Sequence, residues 1–232
     1  MCGRYSLTTA PEALRQLFAF ENLPNLAPRY NIAPTQLAPV VRRRDDHPGR
    51  ELVLLRWGLI PSWSKDATGA AKMINARSET AAAKPAFRDA FRRRRCLVPA
   101  DGFYEWRAEE GRKQPFRIGF KGGGAFAFAG LWERWTVREG PEAGSVVESY
   151  TVLTTDANEK LRPIHDRMPV ILAPESHADW LDPGLAPDAA QALLRPHPPE
   201  AMAFYRVSLR VNSVRNDDPG CIEPLARAAA AT

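Results

Sequence analysis

The sequence predicts an α+β fold: a single domain with an antiparallel β-barrel-like core flanked by short helices. Three observations lead there. Strand-like runs cluster without the strand–helix alternation that a doubly wound parallel sheet requires. The helical patterns between them are short. The 21 prolines among 232 residues suit a loop-rich domain rather than long regular elements. The length alone allows one large domain or two small ones. No interdomain linker or internal repeat is visible, so 1–232 is read as one domain, with the low-complexity stretch from about 225 as a frayed tail.

The elements follow in chain order. Thr9-Ala10-Pro11-Glu12 has the spacing of a capping box with an early proline. Leu14, Leu17 and Phe18 continue it at helical i, i+3, i+4 intervals. "QLAPVV", "ELVLLRWGLI", "PFRIGF", "AFAFAGLW", "SYTVLTT" and "MAFYRVSLRV" are rich in β-branched and aromatic residues and read as strands. "RSETAAAKPAFRDAFRRRR", "DANEKL" and "PDAAQALL" read as helical, with Pro85 breaking or kinking the first. "VREGPEAGSVVE" is a polar surface loop by composition.

Composition narrows the function. No stretch approaches ~20 apolar residues, so no membrane span is expected. No basic region followed by an apolar run marks a signal peptide. Cys2, Cys96 and Cys221 are too few and too scattered for a disulfide framework or a metal site. The expectation is therefore a cytoplasmic protein without cofactor. Residues 1–116 carry 20 Lys+Arg against 12 Asp+Glu, whereas 117–232 carry 12 against 15. A basic first half points to an anionic partner such as nucleic acid. Solvated arginine-rich faces give the same count, and arginine outnumbers lysine by 26 to 6.

Some polar residues sit in apolar strings where packing does not require them. "MINARSE" places Asn75, Arg77 and Ser78 after Met73 and Ile74. In "CLVPADGFYEW", alternation turns Glu105 away from Tyr104 and Trp106. Of four histidines, His47 lies in a surface turn, "DDHPG", His177 in a polar helical piece and His197 between prolines. Only His165 in "RPIHDRMPVIL" combines flanking charges with a following apolar strand. Cys2 stands directly after the initiator. Once Met1 is trimmed, as its small side chain permits, the chain starts with a 1,2-aminothiol. The ordinary pKa values of ~7.7–8.0 for the amine and ~8.5 for the thiol leave a nucleophilic fraction of each at neutral pH. Cys2, Asn75, Glu105 and His165 together supply a nucleophile, an amide, a carboxylate and an imidazole for covalent chemistry at a carbonyl.

"MCGRYS", "YNIAPTQ", "WGLIPSW", "MINARSET", "RCLVPADGFYEW", "FAGLWE", "LTTDAN" and "IHDRMPVIL" occur in this order. The set resembles the SOS-response-associated peptidase family, also described as abasic-site-processing proteins, from Cys2 to about Pro224. The resemblance implies a barrel-like α+β domain, an autoproteolytic exposure of the cysteine and a groove for single-stranded DNA. It also implies a covalent link to abasic sites, formed as a thiazolidine between Cys2 and the open-chain sugar aldehyde. Asn75 is then placed as lesion sensor, Glu105 as proton shuttle and His165 as donor to the sugar oxygen. Arg4, Arg77 and Arg167 would grip phosphates and Trp63 would stack on a base, with Asn31, Pro34 and Ser78 also on the DNA side. Some relatives have two adjacent tryptophans where this chain has Ser62-Trp63-Ser64. The implied partner is single-stranded DNA with abasic sites, met by a monomer.

Three other readings stay open from the residues. Class II glutamine amidotransferases also begin "MCG", but the "YNIAP" and "IHDRMP" blocks do not look like theirs. A non-covalent reader of modified or single-stranded DNA fits the same basic half. A peptidase acting in trans is the third, without a substrate-binding signature.

Overall fold

The computed structural model describes residues 2–44, 49–109 and 111–225. Met1, the turn expected around His47 and the alanine-rich tail lie outside these residues. In chain order the elements are β1 (Tyr5–Leu7), α1 (Pro11–Phe18), β2 (Arg29–Ile32), β3 (Leu37–Arg43), β4 (Arg50–Trp57) and β5 (Asn75–Arg77). Then come α2 (Ser78–Ala81), α3 (Arg88–Arg93), β6 (Arg95–Ala100), β7 (Gly102–Glu109), β8 (Arg112–Phe120), β9 (Phe126–Thr136) and β10 (Val146–Asp156). The chain closes with β11 (Arg167–Pro169), β12 (Ile171–Leu172), α4 (His177–Leu181), α5 (Pro187–Ala192) and β13 (Met202–Arg206). Among the described residues no helix is long and apolar enough to cross a membrane.

The expected barrel is present. β10, β4, β3, β6 and β9 pair in a ring that β9 closes back onto β10. One ring pairing, β10 with β4, is parallel, as is the pairing of β5 along β10. The barrel is therefore mixed rather than wholly antiparallel, because the long segment after β4 returns through β5. A second sheet, ordered β13-β8-β7-β1-β2, packs beside it. Tyr5 ties the two together. From β1 its ring meets Trp57 edge-on at 5.1 Å, and its hydroxyl lies 2.6 Å from that of Tyr150.

Closure also explains a glycine. Gly130 of β9 pairs with Cys96 on one side and Val152 on the other. A Cβ there would lie 2.8 Å from both Cys96 Sγ and a Val98 methyl. Gly130→Ala is therefore expected to destabilise the domain by about 1–3 kcal/mol through overpacking. The urea midpoint reads this, and Cys96→Ala in the same chain should recover part of the loss.

The arginine-rich helical run is cut into α2 and α3 around Pro85, as its ring demands. The capping box is absent. Ala10 is the N-cap of α1, while Thr9 points its hydroxyl at the buried Asp101 carboxylate, 3.3 Å away. "DANEKL" forms turns after β10, not a helix, with Asn158 accepting from the backbone N–H groups of Leu161 and Arg162. "MAFYRVSLRV" is strand only to Arg206, after which Leu209–Asn212 form a 3₁₀ turn. His177 is buried against Phe18 rather than on a polar face.

Candidate active site and nucleic-acid interface

The site starts from the pairing of β1 with β7. Tyr5 is in register with Phe103, and the Tyr104 N–H donates to the Arg4 carbonyl at 3.0 Å. The residues ahead of β1 therefore run beside β7 and bring Cys2 next to Glu105. Cys2 is fully buried and its thiol donates to the Arg4 carbonyl at 3.6 Å. Burial pushes the thiol up strongly, and the negative charge of Glu105 pushes it further. Asn75, at the start of β5, donates its amide N–H to the Cys2 carbonyl at 2.8 Å. The other end of that amide, Oδ1, is buried without a partner.

Glu105 is 4% exposed. Burial pushes its carboxyl up to about 7, the amino-terminal charge opposes this, and Asp166 adds to it. As strand alternation requires, its neighbour Tyr104 faces the other way and donates its hydroxyl to the Tyr30 carbonyl at 2.5 Å. His165 sits on the turn between β10 and β11, its backbone N–H bonded to the Leu161 carbonyl at 3.0 Å. Its Nδ1 accepts the Arg167 backbone N–H at 2.9 Å, so the neutral ring carries its proton on Nε2. Burial holds the imidazole below its ordinary pKa, as does the amino-terminal charge, while Asp166 opposes them.

Glu105 and His165 line one open groove of about 440 Å³, together with Trp106, Lys113 and Asn212. The last three escaped the sequence reading. Lys113 reaches the groove through the β7–β8 hairpin, and Asn212 accepts the Trp106 indole N–H at 2.7 Å from a segment 106 positions away. The "RKQPF" lysine carried no local signal, since an exposed lysine on a strand is ordinary. Among the described residues no three His, Cys, Asp or Glu side chains group to hold a metal ion.

The residues expected on the DNA side divide by geometry. Arg77 is exposed and its guanidinium makes no hydrogen bond or ion pair among the described residues, and Trp63 is 57% exposed. The Trp63 loop is held by the Trp135 indole N–H, which donates to the Ser64 carbonyl at 2.8 Å. Pro34 is half-buried between β2 and β3. Arg4 spends both Nη1 donors on Asn31 Oδ1 and the Val211 carbonyl, at 2.9 and 2.6 Å, and one Nη2 donor on Asn212. Its Nε and one Nη2 donor remain. Asn31 is fully buried, and its amide clamps the carbonyls of Val211, Ser213 and Asn216. Ser78 is buried at the start of α2. Arg167 spans both carboxylate oxygens of Glu79, Asp156 Oδ1 and the Thr154 carbonyl at 2.6–2.9 Å. A phosphate would have to displace one of these partners.

Known proteins resemble this chain over nearly its whole length. The abasic site processing protein YoqW of Bacillus subtilis is 43% identical over 96% of this chain and 99% of its own length. The abasic site processing protein HMCES of Xenopus tropicalis is 34% identical over 96% of this chain and 78% of its own. A crystal structure from Bacteroides thetaiotaomicron superposes with a TM-score of 0.86 at 28% identity, covering 97% of this chain and all of that one. A phage-related protein of Bordetella bronchiseptica, 32% identical, gives 0.70 over 89% of this chain and 94% of its own. Residues 1–214 match the family described as SOS response associated peptidase (SRAP), a span that contains every residue gathered around Cys2. With the fold, the order of the motifs and the relatives in agreement, the chain belongs to the SRAP family.

Proposed function

We propose that this protein processes abasic sites in single-stranded DNA by linking them covalently to Cys2. The observation that carries the reading is that Cys2, Asn75 and Glu105 meet beside the groove that His165 lines. The relatives named abasic site processing proteins support the same substrate.

The chemistry follows from the groups. Hydrolysis of the Met1–Cys2 peptide bond consumes one water and leaves the Cys2 amine free. Until then the peptide carbonyl removes its basicity. The abasic sugar opens from hemiacetal to aldehyde, and His165 gives its oxygen a proton through Nε2. The amine adds to the aldehyde carbon, and loss of one water gives the imine. The Cys2 sulfur then attacks the same carbon while its proton passes to the imine nitrogen, closing a five-membered thiazolidine. Glu105, with a carboxyl near 7, exchanges protons with amine and thiol in the physiological range. The buried thiol stays protonated by itself, so it depends on such a base. Asn75 pins the Cys2 carbonyl and holds the nucleophile in place, and ring closure is intramolecular because amine and thiol sit on one residue.

DNA contacts then rest on exposed groups. Arg77 meets the phosphates with its free guanidinium, and Trp63 offers a face to a base. Arg4 keeps two donors for a phosphate while it braces the segment carrying Asn212. Asn31, Ser78 and Arg167 support the site from beneath.

The test is mass spectrometry of the intact protein, with and without an abasic single-stranded oligonucleotide. The active protein is expected to lack Met1 and to gain the oligonucleotide mass less one water. A full-length chain that still crosslinks would overturn the mechanism. Arg77→Ala is expected to weaken single-strand binding alike across sequences and to reduce the magnitude of its salt slope by about one ion. A change confined to one sequence context would mark base readout instead.

A further inference from the structure

We propose that Asp166 is the positioning residue that lets His165 act as an acid, by taking over its Nδ1 when the ring gains its second proton. The inference rests on the function proposed above and concerns the acid step at the sugar.

The geometry sets up an exclusive choice at one nitrogen. Nδ1 accepts the Arg167 backbone N–H at 2.9 Å, which requires a lone pair there. Asp166 Oδ1 lies 2.8 Å from the same Nδ1, a distance that becomes a hydrogen bond only when Nδ1 carries a proton. Both bonds cannot exist together. In the neutral ring Arg167 holds Nδ1, and Nε2–H is a weak donor whose loss would leave an anionic imidazolate. In the imidazolium the Arg167 N–H is released and Nδ1–H turns to Asp166. Nε2–H can then be given to the sugar oxygen, leaving a neutral ring protonated at Nδ1. The second proton enters at Nδ1 and the useful one leaves from Nε2. Asp166 is exposed, and so it can take up its partner without repacking the core. Its backbone is fixed, since its carbonyl accepts the Ala157 N–H at 2.9 Å.

The surrounding charges agree. His165 shares the groove with Glu105 from β7 and Lys113 from β8, and has Arg167 on its own segment. Burial and the positive charge of the Arg167 guanidinium disfavour the imidazolium, and the Asp166 carboxylate favours it. The same carboxylate raises Glu105 and delays its ionisation. One exposed side chain thus acts on both members of the acid–base pair.

The experiment compares wild type, Asp166→Asn and Asp166→Glu, each with Met1 removed. It measures the His165 ring titration by NMR and the rate of adduct formation with an abasic single-stranded oligonucleotide from pH 5 to 9. Asp166→Asn should move the His165 titration to lower pH and shift the rate profile the same way, with a several-fold slower adduct at pH 7. Asp166→Glu should restore most of both, and binding of undamaged single strands should not weaken. An unchanged His165 titration and pH profile in Asp166→Asn would overturn the proposal, as would a uniform rate loss at every pH. The NMR titration needs no DNA. If wild type forms no adduct while His165 still responds to Asp166→Asn, the proposed function fails and the coupling survives.

Discussion

Cys2→Ser is expected to lose the stable DNA adduct while retaining or gaining strand cleavage at abasic sites. Serine keeps the α-amine after Met1 is trimmed and replaces the thiol with a far less acidic hydroxyl. The imine still forms with the open sugar, but closure to an oxazolidine is much less durable. An imine left open acidifies the neighbouring carbon and invites β-elimination, which cuts the strand that the ring would protect. Borohydride should trap that imine as a permanent link, and Cys2→Ala should behave alike. The fully buried site of Cys2 accepts an isosteric hydroxyl beside the Arg4 carbonyl, so the variant should fold. A denaturing gel with abasic single-stranded DNA reads all of this in one lane series. Should the serine variant give an adduct as persistent as wild type, the thiol is dispensable and the thiazolidine is wrong.

Glu105→Gln should slow adduct formation by about 10²–10⁴-fold, the range of a positioned proton shuttle. It should also make the protein more stable at alkaline pH. The folded carboxyl titrates at about 7 against an ordinary 4.5. The folded state therefore holds its proton longer than the unfolded chain, and stability falls as pH rises between those values. Below about 4.5 both states are protonated and the ionisation penalty vanishes. Above about 7 it is ionised in a buried site, and the difference converts to roughly 3 kcal/mol. Urea midpoints should match for the two proteins at pH 4 and favour glutamine at pH 8. Binding of undamaged single strands rests on phosphates and stacking and should stay nearly intact. Loss of adduct and undamaged-strand binding in equal measure would assign Glu105 a purely structural role.

A carboxyl group buried in a strand of a small domain is one that packing rules alone would exclude. That is why Glu105 was legible as an anomaly in "GFYEW" before its surroundings were known. Asn75 and His165 stood out in the same manner, the one just after an apolar pair and the other just before an apolar strand. Strand content was legible too, because β-branched and aromatic runs declare themselves locally. The three-residue strands β1 and β5 were not. Their strand geometry comes from the β7 and β10 edges they pair with, not from propensity. Thr9 misled for a related reason: Asp101, distant in sequence, offered its hydroxyl a better acceptor than the helix end did. The arginines show the limit most clearly. Arg4, Arg77 and Arg167 look equivalent in their motifs. Only the fold gives Arg167 two carboxylates, gives Arg4 three internal acceptors and leaves Arg77 free.

By itself the sequence determined the class of fold, the family and the chemical types at the site, because each depends on residue identity and order along the chain. The tertiary structure alone decided that Cys2 is buried beside Glu105, that the barrel closes through a parallel pair, and that Trp106, Lys113 and Asn212 complete the groove. It also decided the Nδ1 choice between Arg167 and Asp166. Those outcomes depend on which distant backbones come within hydrogen-bonding distance and how much water they exclude. Neither quantity is written in any local stretch of residues.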